Sequence, residues 1–147
     1  MEEIRLIAYD ELDKLLCLYR HSHADDPELA IDNSLKRLWD EIFQDKFLYY
    51  LVAEEEGELV SSCTLAIIKN LTRNARPYGL IENVVTHPDY RKKGYGTRIL
   101  KAAIEISKEN NCYKVMLLTS SKKKETLRFY EKAGFNREIK TGFIFKL

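Results

Sequence analysis

The stretch Leu80-Ile81-Glu82-Asn83-Val84-Val85-Thr86-His87-Pro88-Asp89-Tyr90-Arg91-Lys92-Lys93-Gly94-Tyr95-Gly96-Thr97 decides the fold. Gly79 to Thr86 reads as a strand, and Pro88 ends it because proline cannot donate to a ladder. From Gly94 to about Asn110 the period is helical: Ile99, Ala103 and Ile106 share one face, with Leu100 and Ile104 beside it. Between strand and helix lies a basic loop with two glycines. Glycine lets backbone approach a ligand closely, and the first N–H groups of a helix have no partner within it. Such a start binds phosphate oxygens, and Arg91, Lys92 and Lys93 add charge there. The loop has no G-x-x-x-x-G-K-S/T pattern. It is not a dinucleotide fingerprint either, since Ile99 stands at the third glycine position.

Outward from this core, Tyr113 to Thr119 is apolar and reads as a buried strand. Strand, helix, strand over 79–119 makes a βαβ unit, which is right-handed in nearly all sheets. Ser120 or Ser121 caps a helix carrying Leu127, Tyr130 and Ala133, and Gly134 sits where a left-handed C-cap belongs. Residues 138–147 read as a final strand. Upstream, Phe47–Ala53 and Leu59–Ile68 form a hairpin about Glu54-Glu55-Glu56-Gly57-Glu58. Asn70 to Pro77 is a polar loop. Ile4–Tyr9 is a first strand, and Asp10 caps a helix with Leu12, Leu15, Leu16 and Tyr19 on one face. His21 to Glu28 is a loop. Asn33 or Ser34 caps a second helix carrying Leu35, Leu38, Trp39 and Ile42. No repeat or linker interrupts 1–147, which reads as one mixed α/β domain.

Composition excludes several classes. A chain of 147 residues, 45% hydrophobic and 32% charged, is an ordinary globular domain rather than a disordered one. No apolar run reaches the roughly 20 residues of a bilayer span. The start Met1-Glu2-Glu3 lacks the basic and apolar regions of a secretory signal, so a cytoplasmic location is expected. Cys17, Cys63 and Cys112 are far apart and unpaired by motif, and each reads as a buried small hydrophobe. His21, His23 and His87 do not have metal-ligand spacing, so no metal is expected. Residues 1–78 carry a net charge of −7 and residues 79–147 of +8. The basic half favours an anionic partner. Nucleic acid is a poor match, because the basic residues lack aromatic interleaving and no helix-turn-helix signature stands out.

The segment Val85-Thr86-His87-Pro88-Asp89-Tyr90-Arg91-Lys92-Lys93-Gly94-Tyr95-Gly96 resembles the R/Q-x-x-G-x-G/A acetyl-coenzyme A signature of the GNAT-type N-acetyltransferases. A second match is Leu127-Arg128-Phe129-Tyr130-Glu131-Lys132-Ala133-Gly134-Phe135, which resembles that family's L-Y-E-K-x-G-F element. The resemblance covers about residues 47–147 well, and residues 1–46 only as a strand and two helices. Ile81-Glu82-Asn83-Val84-Val85 and Phe129-Tyr130-Glu131-Lys132 look like the glucosamine-phosphate acetyltransferases within the family. Two departures are Leu118-Thr119-Ser120, where those enzymes carry an acidic residue, and Lys123, where the family often has asparagine.

The resemblance implies a GNAT-like fold: a mixed, mostly antiparallel sheet with splayed fourth and fifth strands, flanked by about four helices. It implies acetyl-CoA as acetyl donor, with the pantetheine arm along Val84, Val85 and Thr86. Pyrophosphate would lie on Arg91, Lys92, Lys93, Gly94, Tyr95, Gly96 and Thr97. It implies Glu82 as general base and Tyr130 as the acid for the leaving thiolate. A small-molecule or peptide amine is the implied acceptor, and a homodimer is an admissible assembly. A non-catalytic acyl-CoA sensing module of the same fold is the alternative, and retention of both Glu82 and Tyr130 argues for the enzyme. On the acceptor side, Asp25, Asp26, Glu28 and Asp32 form an acidic rim suited to a cationic amine. Arg73 and Arg76 are instead suited to a phosphate or carboxylate on the acceptor.

Overall fold

A computed structural model describes residues 3–147. Met1 and Glu2, on which the reading of the chain start rests, lie outside the described residues. Five strands form one sheet in the order β1(Glu3–Leu6), β2(Leu48–Glu55), β3(Glu58–Ile68), β4(Tyr78–Thr86), β5(Val115–Leu117). The first three pairings are antiparallel and β4–β5 is parallel, because α4(Tyr95–Glu109) carries the chain back between them. α1(Leu12–Tyr19) and α2(Asn33–Gln44) complete one side, and α5(Lys124–Lys132) joins α4 on the other.

The pleat divides the core in two. Leu51, Cys63, Leu65 and Ile81 turn toward Tyr95, Ile99, Leu100 and Ala103 of α4. Val52, Leu59 and Val85 turn the other way, onto Leu15, Leu18 and Trp39 of the first two helices. The Trp39 indole N–H, buried with its ring, donates to the Tyr9 carbonyl at 2.8 Å.

Several element ends differ from the sequence reading. The first strand stops at Leu6, and Tyr9–Glu11 is a 3₁₀ turn. Asp10 is not its cap. The Glu11 carboxylate accepts the Ala8 N–H at 2.8 Å, because Arg5 holds it there with two bonds of 2.8 Å. Asp32 caps α2, accepting the Leu35 N–H at 2.9 Å, so Asn33 and Ser34 lie inside the helix. Lys123 is the N-cap residue of α5, and the Ser121 hydroxyl accepts its N–H at 3.3 Å. The loop 70–77 contains α3(Thr72–Ala75), one turn in which Arg73, Asn74 and Ala75 all have positive φ. Cys17 is exposed on α1, contrary to the expected burial, while Cys63 is buried.

The last third holds the two largest corrections. β5 spans only Val115–Leu117 because its partner departs: register runs from Gly79↔Val115 to Ile81↔Leu117 and stops. Residues 138–147 form no strand; no neighbouring strand offers a ladder, and Phe143 and Phe145 are about 90% exposed. Gly134, with φ 105°, ends α5 as expected.

Candidate active site

The site begins with a bulge. Ser62 faces Val85 and Thr64 faces Glu82, so two steps on β3 match three on β4. The extra residue falls at Asn83–Val84, and Asn83 takes φ 53°, a left-handed conformation that asparagine tolerates better than most residues. The bulge turns β4 away from β5 immediately after Ile81. From Glu82 to Thr86 the side of β4 that faced β5 has no strand partner, and its backbone polar groups open into the gap. β3 clamps this segment from the other side. The Ser61 hydroxyl donates to the Val85 carbonyl at 3.0 Å and shares a 2.8 Å bond with the Thr86 hydroxyl.

The glycine loop follows. The Asp89 N–H donates to His87 Nδ1 at 3.1 Å and starts a 3₁₀ turn, Pro88–Tyr90. Lys92 and Gly94 have φ 63° and 88°, the alternating backbone from which a nest of successive amides is built. The helical ladder begins with the Arg98 N–H on the Gly94 carbonyl at 3.1 Å, so the first turn of α4 presents its amides outward. Arg91, Lys92 and Lys93 are exposed around it. Thr97 is half-buried in the first turn.

The two glycines do different work. At Gly94 a Cβ would meet nothing within 4 Å, so the demand there is conformational. At Gly96 a Cβ would stand 2.8 Å from Cζ of Phe129, so that glycine lets α5 lie against α4. Tyr95, between them, points into the core; its hydroxyl donates to the Glu55 carboxylate at the β2–β3 turn.

Glu82 is exposed beside the bulge, opposite Thr64, and its carboxylate makes no hydrogen bond or ion pair among the described residues. Tyr130 is half-buried on α5, its ring 4.9 Å from Phe129 and 6.4 Å from Phe135. Burial, with the Cys63 thiol nearby, pushes its hydroxyl pKa up, so it holds its proton at neutral pH. No hydrogen bond joins Glu82 to Tyr130. The buried hydroxyls of Tyr19 and Thr64 lie near one another on the inner side of α1, and burial pushes the Tyr19 pKa up as well.

An open cavity of about 1100 Å³ lies beside the bulge, between α1, the chain that follows it, and Asn83. Asp26 and Glu28 line it, as the acidic rim predicts, but Asp25 does not, and Asp32 is engaged as the α2 cap. Arg73 and Arg76 are not near it. Arg76 donates to the carbonyls of Asn111 and Cys112 at 3.1 and 2.9 Å, at the far end of β4, and Arg73 lies over the Tyr113 ring. Asp13, Cys17, Tyr19, Glu58 and Asn83 also line the cavity, and the sequence analysis names none of them as a site residue. Of these, only Asn83 carried a signal: an asparagine inside an otherwise apolar strand marks a bulge.

The chain matches the Acetyltransferase (GNAT) family over residues 10–135. It is 44% identical over 79 residues to glucosamine 6-phosphate N-acetyltransferase of Trypanosoma brucei brucei, covering 54% of this chain and 52% of that protein. The chain thus spans about half the length of that relative. Among solved structures, a putative acetyltransferase from Agrobacterium tumefaciens str. C58 superposes with a TM-score of 0.92 at 40% identity, over 99% of both chains. Glucosamine-6-phosphate N-acetyltransferase from Arabidopsis thaliana superposes at 0.83 with 27% identity, again over 99% of each. With the splayed strands, the nest of amides and the family match over the same residues, the chain belongs to the GNAT family of acetyltransferases.

Proposed function

We propose that residues 1–147, as one domain, transfer an acetyl group from acetyl-CoA to a primary amine by direct attack within a ternary complex. The observation that carries this reading is the parting of β4 from β5 after Ile81, which opens toward the nest of amides at Lys92–Gly94. The fit is chemical. The gap offers unpaired backbone groups to an amide-rich arm, and the nest, the α4 start and Arg91, Lys92 and Lys93 offer donors and charge to phosphates.

Acetyl-CoA supplies the activated acyl group as a thioester. A backbone N–H at Val84 or Val85 is the donor for its acyl oxygen. Glu82, exposed and unpaired, takes a proton from the ammonium so that the neutral amine attacks. The C–N bond forms and the C–S bond breaks; Tyr130 delivers its proton to the leaving sulfur, the second proton that the nitrogen loses on forming the amide restores the phenol, and the first passes from Glu82 to solvent. Gly96 and Thr97 serve through backbone in the first turn of α4, while the Tyr95 side chain anchors the loop from below.

The test is calorimetric titration with acetyl-CoA and, in parallel, with an oligonucleotide, followed by thiol-release assays across amines. Binding of acetyl-CoA with turnover supports the enzyme. Binding without turnover of any amine supports the acyl-CoA sensing module instead. The reading includes a cytoplasmic location, checked by cell fractionation. It also includes a homodimer, for which the exposed Ile139, Phe143, Ile144 and Phe145 offer apolar surface, checked by light scattering after gel filtration.

A further inference from the structure

We infer that the acceptor is a primary amine on an apolar body, alkyl or aryl-alkyl, and that a phosphorylated amino sugar is disfavoured. This rests on the acetyl-transfer reading above and concerns only which amine the cavity takes. Asn83 lines the cavity and follows Glu82 on β4, so the occupant lies beside the segment of β4 that borders the gap.

Three features of the wall set the chemistry. The first is apolar. Leu29 and Ile31 line the cavity yet are 57% and 46% exposed, although neither belongs to a core cluster. Large aliphatic groups left wet in a concave wall gain most from an apolar ligand. The second is the state of the cations. Lys14 Nζ donates to the Gly57 carbonyl at 2.6 Å, and the Arg20 guanidinium pairs with Glu28. His23 lies 3.9 Å from the Asp26 carboxylate. Each basic group in the wall already faces an oxygen of this chain. The third is the state of the anions: Asp13 and Glu58 make no ion pair or side-chain hydrogen bond among the described residues. A phosphate entering here meets four carboxylates, Asp13, Asp26, Glu28 and Glu58, against Lys14 and Arg20, of which Arg20 is already paired with Glu28. For an ammonium the same balance is favourable, with an apolar surface for the rest of the molecule.

The experiment uses the full chain with acetyl-CoA and two probes, 2-phenylethylamine and glucosamine 6-phosphate, read by thiol release. The expected result is a kcat/KM at least tenfold higher for 2-phenylethylamine. Leu29→Ser and Ile31→Ser should each raise its KM threefold or more, with a smaller change in kcat, and Asp13→Asn with Glu58→Gln should do the same. Circular dichroism and acetyl-CoA affinity of each variant exclude misfolding as the cause. Equal or better use of glucosamine 6-phosphate overturns the inference, as does a KM indifferent to all these variants. Failure of both amines with acetyl-CoA binding intact overturns it too. Loss of acetyl-CoA binding by the unmodified chain overturns the acetyl-transfer reading itself.

Discussion

Gly96 and Phe129 are in contact across the α4–α5 interface: a Cβ at position 96 would lie 2.8 Å from Cζ of the phenylalanine ring. That ring lies against Tyr130, with centroids 4.9 Å apart. A side chain at 96 therefore displaces the helix that carries the proposed acid. Gly96→Ala should lower stability by roughly 1–3 kcal/mol, the range for overpacking, and should reduce kcat. Thermal melts and initial rates check both. Valine at this position would compromise the packing of α5 as well as the loop.

Gly94→Ala separates the other contribution. With φ 88° and open space around it, only backbone strain is added, about 1–2 kcal/mol. The loop should relax out of the nest conformation. Acetyl-CoA affinity should fall about tenfold, equivalent to 1.4 kcal/mol, with kcat at saturation little changed. Calorimetry measures this directly.

The proposed catalytic pair gives a cleaner contrast. Tyr130→Phe keeps the ring that packs against Phe129 and Phe135 and removes only the hydroxyl. Turnover should drop on the order of 10²-fold with acetyl-CoA binding unchanged. Glu82→Gln, at an exposed position, should leave the melting temperature unchanged and lower kcat by a similar factor. A rate equal to the parent in either variant removes that residue from the mechanism.

Tyr95 tests the anchor beneath the loop. Tyr95→Phe deletes the donor to Glu55, a bond to a charged partner worth about 1.5–3 kcal/mol. The KM for acetyl-CoA should rise several-fold while the acceptor KM stays constant. Glu55→Gln retains an acceptor oxygen and should recover part of the affinity that Glu55→Ala loses.

Acid stability should report on Glu11. Its hydrogen bonds from Arg5 hold its pKa at about 2, below the ordinary 4.5. A depressed carboxylate pKa stabilises the fold above the unfolded value, and that contribution is lost as pH falls toward the folded one. Melting temperature should therefore decline between about pH 5 and pH 2. Glu11→Gln should flatten that decline while lowering stability at neutral pH.

Local chemistry explains what was legible in the sequence. The order of strands and helices from β2 to α5 followed from period and punctuation, because alternation, helical spacing and Pro88, Gly94 and Gly134 act over a few residues. The glycine loop was readable for the same reason, as its φ demands and its charge lie within six positions. One cap was misplaced where a partner outside the turn intervened: Glu11 caps because Arg5, itself paired with Glu54, holds it, whereas Asp32 caps α2 by a local bond to the Leu35 N–H, one residue before the expected cap. Tertiary structure alone decided the length of β5 and the absence of a strand over 138–147, since a strand exists only where another backbone completes its ladder. It alone separated Gly94 from Gly96, placed Arg73 and Arg76 at the far end of β4, and brought Asp13, Glu58 and Leu29 to one cavity wall. Those relations join residues far apart in the chain; a local pattern marks the bulge at Asn83, but the size of the bend there is set by the strands packed around it.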